Sequence, residues 1–64
     1  MWEYIRTVEV SEDAAGKWRA RILCSDNGTE ECFFIKFQNY PSLEDINTAA
    51  QQFIEQMNLQ MPQE

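Results

Sequence analysis

Apolar and polar residues alternate strictly along "KWRARILCS". Trp18, Ala20, Ile22 and Cys24 take one parity, and Lys17, Arg19, Arg21, Leu23 and Ser25 take the other. A period of two marks a half-buried strand. "EECFFIKFQ", 30–38, reads as a further strand, with Phe33, Ile35 and Phe37 on one parity and Cys32, Phe34 and Lys36 on the other. Between the two lies Asn27-Gly28, the dipeptide best suited to a two-residue type I′ turn, in which both residues need positive φ. "WEYIRTVEV" is rich in aromatic and β-branched residues and predicts a first strand. Its alternation is interrupted: Trp2, Tyr4, Val8 and Val10 share a parity with Arg6, while Ile5 falls in with Glu3, Thr7 and Glu9. "SEDAAG" reads as the polar loop after this strand, ending in Gly16.

After Pro41 the period changes to that of a helix. "SLED" has the form of a capping box, with Ser42 as N-cap and Asp45 three residues on. Glu44 and Asp45 also suit the positive end of the helix dipole. Leu43, Ile46, Ala50, Phe53 and Met57 then recur at helical spacing and predict one apolar stripe, ending near Asn58. Pro62 cannot continue a helix comfortably, so residues 59–64 are expected to fray from a single domain spanning 1–58.

The turn sets a register. With Asn27 and Gly28 as loop residues, Asp26 faces Thr29, Ile22 faces Phe33, Ala20 faces Ile35 and Trp18 faces Phe37. Cross-strand partners share a face. One face therefore carries Trp18, Ala20, Ile22, Cys24, Phe33, Ile35 and Phe37, and the helix stripe is expected to cover it. A slip of one residue would scramble both faces. The predicted fold is α+β: a three-stranded antiparallel meander in order 1-2-3, with the C-terminal helix on one side. The face away from the helix then holds Lys17, Arg19, Arg21 and Leu23 from the middle strand, and Cys32, Phe34 and Lys36 from the third. Glu3, Ile5, Thr7 and Glu9 are expected to complete it from the first.

Charge makes that face notable. The formal net charge is −6, with only five Lys and Arg, and four of them fall between Gly16 and Phe37. Net acidity disfavours a nonspecific grip on nucleic acid, which needs concentrated cations. There is no histidine, hence no commonest general base or metal ligand. Two cysteines on opposite faces predict no internal disulfide: Cys24 is a small core residue and Cys32 a partly exposed thiol. Trp18 is expected in the core, and Trp2 in the core or at an interface. Glu30 and Glu31 are adjacent and point to opposite faces, so they form no acid–base pair. No glycine-rich phosphate loop is present. These absences predict neither enzyme activity nor a metal or cofactor. The N-terminus lacks the pattern of a signal peptide, and no apolar run reaches the roughly 20 residues of a membrane helix. A complete short open reading frame, cytoplasmic or delivered by a phage or mobile element, is the expectation.

The succession of "GKWRARI", a turn, "FFIKF" and "SLEDINTAAQQFI" resembles the AP2-type DNA-binding domains and the N-terminal arm-binding domains of tyrosine integrases. The resemblance spans roughly residues 4–57. It implies a three-stranded sheet backed by a helix, with the opposite face entering the DNA major groove. Lys17, Arg19, Arg21 and Lys36 would then be the DNA contacts. This chain differs in carrying Glu3 and Glu9 on that face and acids on the helix and turns. The chain also resembles small phage accessory proteins, which are short, acidic and without catalytic residues.

The function expected is a non-catalytic protein-interaction module, of phage or bacterial kind, acting through Ile5, Lys17, Arg19, Arg21, Leu23, Cys32, Phe34 and Lys36. A protein partner or self-association is expected, with no membrane. A twofold pairing of the faces would set Lys17, Arg19 and Arg21 against Glu3 or Glu9 of the mate. Sequence-specific DNA binding by the same face is the alternative, and acidic mimicry of nucleic acid through Glu44, Asp45 and Glu55 a third. The plainest account needs no partner: outward cations on a middle strand pair with acids on its neighbours, at roughly 0.2–1 kcal/mol each.

Overall fold

The computed structural model describes residues 1–60. Three antiparallel strands, β1 (Trp2–Glu12), β2 (Trp18–Asp26) and β3 (Thr29–Phe37), form an open sheet in order β1-β2-β3, followed by α1 (Leu43–Gln60). This is the α+β meander with a C-terminal helix read from the sequence.

The β2–β3 hairpin has the register the turn demands. Asp26 faces Thr29, Ile22 faces Phe33, Ala20 faces Ile35 and Trp18 faces Phe37, with no shift along the ladder. Asn27 and Gly28 have φ values of 54° and 92°, the two positive angles of a type I′ turn. The β1–β2 loop is shifted along the chain from "SEDAAG" to 13–17, because Ser11 and Glu12 continue β1 and Lys17 lies just outside β2. Asp13 organises it. Its carboxylate accepts from the backbone N–H of Ala15 and of Lys17, each at 2.9 Å, and its own N–H donates to the Lys17 carbonyl at 2.7 Å. The Lys17 N–H is the main reason the Asp13 carboxyl lies below its ordinary pKa. Gly16, at φ 82°, makes the return that a side chain would strain.

β1 departs from simple alternation, and the departure explains Arg6. Two register shifts occur along β1, one between Tyr4 and Arg6 and one between Thr7 and Glu9. Each inserts one extra residue and flips the phase of the residues beyond it. Arg6 therefore faces Leu23 and Thr7 faces Ile22, and by Val10, opposite Ala20, the phase is restored. Thr7 is thus on the helix side, not on the open face with Glu3 and Glu9. The hydroxyls of Tyr4 and Thr7 hydrogen-bond there at 2.8 Å. Arg6 escapes the core, where an unpaired charge would be prohibitive. Val8, which shares the parity of Trp2 and Tyr4, is half-buried at the second shift.

The helix starts where its cap predicts. The Asp45 N–H donates to Ser42 Oγ at 3.0 Å, and the Ser42 N–H donates to Asp45 Oδ2 at 3.2 Å, a reciprocal capping box. Pro41 and Ile46, both buried, hold the N′ and N4 positions of a hydrophobic staple. The covered stripe is Ile46, Ala50 and Ile54, with Phe53 and Met57 packed beside it. Leu43, at N1, is not part of it and is 75% exposed. Ile54, four residues after Ala50, takes the place that the spacing alone leaves open. The helix runs two residues past Asn58, to Gln60. The rest of the frayed tail expected over 59–64 lies outside the described residues.

The core is Trp2, Ala20, Ile22, Cys24, Ile46, Ala50 and Ile54. Phe33 joins strand and helix, edge-on to Trp2 and tilted on Phe53, with both centroid distances 5.5 Å. Trp18 lies at the margin of this cluster, not within it: it is half-buried and stacks edge-to-face on exposed Tyr40 at 4.9 Å. At the other end Asn58 ties the helix to the sheet margin. Its side-chain oxygen accepts the Trp2 N–H at 2.8 Å, and its amide donates to the Trp2 carbonyl at 3.2 Å.

Candidate functional site: the open sheet face

The helix covers one side of the sheet, and the other side is open. The register orders that open side into four rows running from β1 across to β3. Glu3, Ser25 and Glu30 form the first row, at the type I′ turn end. Arg6, Leu23 and Cys32 form the second, with Ile5 as the extra residue beside Arg6. Glu9, Arg21 and Phe34 form the third, and Ser11, Arg19 and Lys36 the fourth. Lys17 sits beyond the fourth row, where its Nζ donates to Gln38 Oε1 at 3.1 Å. The face thus has an acidic end, a middle where Ile5, Leu23, Cys32 and Phe34 lie among Arg6, Glu9 and Arg21, and a basic end.

Its apolar content is real exposure. Phe34 is 48% and Ile5 45% exposed, Cys32 is exposed, and Leu23 is half-buried between them. The basic end is held in place by its neighbours. The Arg19 guanidinium carbon lies 4.8 Å from the Phe34 ring centroid, a cation–π contact, and its Nε–H donates to Ser11 Oγ at 3.3 Å. Arg21 Nη2 approaches Glu9 Oε1 at 3.5 Å. Both side chains of that pair are substantially exposed, so it contributes under about 1 kcal/mol. Arg21 Nε is covered and has no hydrogen-bond partner among the described residues.

Every residue singled out from the sequence for this face can be placed. Arg19, Arg21, Leu23, Cys32, Phe34 and Lys36 come together as the period-two reading requires. Lys17 lies at the rim rather than within a strand. Ile5 is at the bulge. Two participants were missed. Arg6 completes the set, so all five Lys and Arg side chains belong to this face or its rim, and Ser11 anchors Arg19. The signal for Arg6 was its own misfit in the alternation of β1: a charge in a core phase predicts a bulge.

Cys24 and Cys32 are both free and lie on opposite faces, the first buried and the second exposed. Burial pushes the Cys24 thiol above its ordinary pKa, and the neighbouring Cys32 adds to the rise. Among the described residues no three His, Cys, Asp or Glu side chains gather as a metal site would require. No helix among them is long and apolar enough to cross a membrane. The chain matches no protein-family model, no curated protein sequence and no solved structure.

Proposed function

We propose that this chain is a non-catalytic protein-interaction module whose working surface is the open sheet face. The observation that carries the reading is the set of exposed apolar groups, Ile5, Phe34 and Cys32 around half-buried Leu23, framed by both signs of charge. An uncovered apolar patch rimmed by polar residues marks a contact surface. Mixed charge favours protein over nucleic acid as the partner. A phosphate backbone would meet Glu3 and Glu30 in one end row and Glu9 in the middle, and each carboxylate opposes it. Arg19 is also engaged by Phe34 and Ser11 rather than extended for a base edge.

The test is site-specific photo-crosslinking in cells expressing the chain. A benzoylphenylalanine replaces Phe34 in one version and exposed Gln56, on the outer helix surface, in another. Polypeptide adducts from position 34 and none from position 56 are expected. Nucleic-acid adducts from position 34 would overturn the reading in favour of DNA or RNA. Polypeptide adducts from position 56 alone would move the working surface to the acidic helix.

A further inference from the structure

We infer that the polypeptide this face receives is a second copy of the same chain, packed face to face about a twofold axis that runs across the strands. This rests on the face being a protein-contacting surface, and it is the order of the rows that selects the partner.

Two sheets that meet face to face are related by an axis lying in the plane between them. Two directions are distinct. An axis along the strands would lay each row on its own copy with β1 over β3, so Arg19 would meet Arg19 of the partner subunit and Glu3 would meet Glu30 of the partner subunit, like on like, while Lys36 would find only Ser11 of the partner subunit. An axis across the strands, between the Leu23 row and the Arg21 row, reverses the order. The acidic first row then lies on the basic fourth row of the mate, and the second row on the third. β1 stays over β1 and β3 over β3. Glu30 meets Lys36 of the partner subunit, Arg6 meets Glu9 of the partner subunit, and Leu23 lies on the Arg21 stem of the partner subunit. Sheets packed in this aligned way sit about 10 Å apart, within reach of long charged side chains from both sides.

The single chain leaves these charges waiting. Glu9–Arg21 is the one ion pair on the face among the described residues; Arg6, Lys36, Glu3 and Glu30 have none. Within one chain Glu30 and Lys36 are six residues apart on β3, about 20 Å, too far to meet. The same packing hides the exposed Phe34 and Cys32 against each other's rows. It also closes the assembly. All five Lys and Arg are then inside or at the rim, and the outer surface of the pair, carrying Glu44, Asp45 and Glu55 on each helix, repels a third copy.

Size limits the strength. Three strands about 4.8 Å apart and about 30 Å long present roughly 400 Å² in plan per copy, about half of a standard interface. An interface of that size belongs with weak, transient associations, so the dimer is sought at about 0.1–1 mM protein.

Sedimentation equilibrium over that range, with circular dichroism as the folding control, tests the arrangement through a charge swap. Wild type should shift from 7.6 kDa toward twice that mass. Glu30→Lys and Lys36→Glu, each alone, set like charges against each other across the interface and should weaken association about tenfold. The two together restore opposite charges at the wild-type net charge and should recover wild-type association. No contact within one chain could produce that rescue. A wild type that stays monomeric at about 1 mM overturns the second copy. Loss in the single variants without rescue overturns the axis. A position-34 adduct of a different polypeptide, with monomeric wild type, removes the dimer and leaves the protein-interaction reading standing. A nucleic-acid adduct removes both.

Discussion

Single side chains hold this small protein together at places where the backbone alone would leave gaps. Asn58 is the strongest case. β1 is an edge strand, and its Trp2 N–H and C=O point away from β2. The Asn58 amide pairs with both, as a neighbouring strand would. That covers the edge beside the core and fixes the last turns of α1 against the buried Trp2. Asn58→Ala removes both partners and leaves two backbone groups unsatisfied in a partly buried setting. The expected loss is about 2 kcal/mol, which in a chain of this size lowers the melting temperature by roughly 8–15 °C. Asn58→Asp keeps the acceptor for the Trp2 N–H and should lose less. Thermal melts followed by circular dichroism read the difference. Equal melting of Asn58→Ala and wild type would show that the helix end is held by its apolar contacts alone.

At the level of elements, the central hairpin, the helix cap and the existence of β1 were legible and the facing of the residues in β1 was not, for reasons that lie in their patterns. β2 keeps one parity wholly apolar from Trp18 to Cys24, with Leu23 the one apolar residue on the other, and Asn27-Gly28 favours one turn, so hydrophobic phase and turn geometry specify the same register. Ser42 and Asp45 announce the helix start through a reciprocal pair of bonds that any capping box makes. β1 carries the right composition, but its alternation breaks at Arg6, and a strict period of two cannot express an extra residue. Two bulges resolve the conflict by inverting the phase of Arg6 and Thr7 only. The exchange has a measurable consequence. Thr7 faces Ile22 beneath the helix and Arg6 faces Leu23 on the open side. Thr7→Lys should therefore cost roughly 2–3 kcal/mol, because it carries an unpaired charge toward the core. Arg6→Ala, on the exposed side, should stay within about 0.5 kcal/mol of wild type in dilute solution. Urea titration of both variants supplies the comparison. A larger loss for Arg6→Ala than for Thr7→Lys would mean that β1 alternates without bulges. The stripe read from spacing includes Leu43 and omits Ile54 for a simpler reason: a helical stripe has an edge at each side, and spacing alone does not say which apolar residue lies over the sheet.

The charge distribution belongs to the molecule as a whole. Composition gave the net charge of −6 directly, but only the folded register separates the two signs. All five Lys and Arg lie on the open face or its rim, together with Glu3, Glu9 and Glu30, while the other described acids lie elsewhere. The helix side and the loops are consequently acid without compensation, apart from Asp26, which the N-terminal amine holds at 2.6 Å. Two electrostatic effects then compete in the monomer. Mutual repulsion of the acids opposes the compact state and is relieved by salt. The exposed Glu9–Arg21 pair supports it and is weakened by salt, but contributes under about 1 kcal/mol. Repulsion is spread over most of the surface, whereas the described side-chain ion pairing is confined to that one contact. Raising potassium chloride from about 20 mM to about 500 mM shortens the screening length from roughly 20 Å to roughly 4 Å. At micromolar protein, where a dimer this small is dissociated, the melting temperature should rise by about 2–5 °C. Arg21→Ala removes the pair and should leave that rise intact. A fall in melting temperature with salt in wild type, abolished in Arg21→Ala, would show that the local pair outweighs the field of the whole acidic surface.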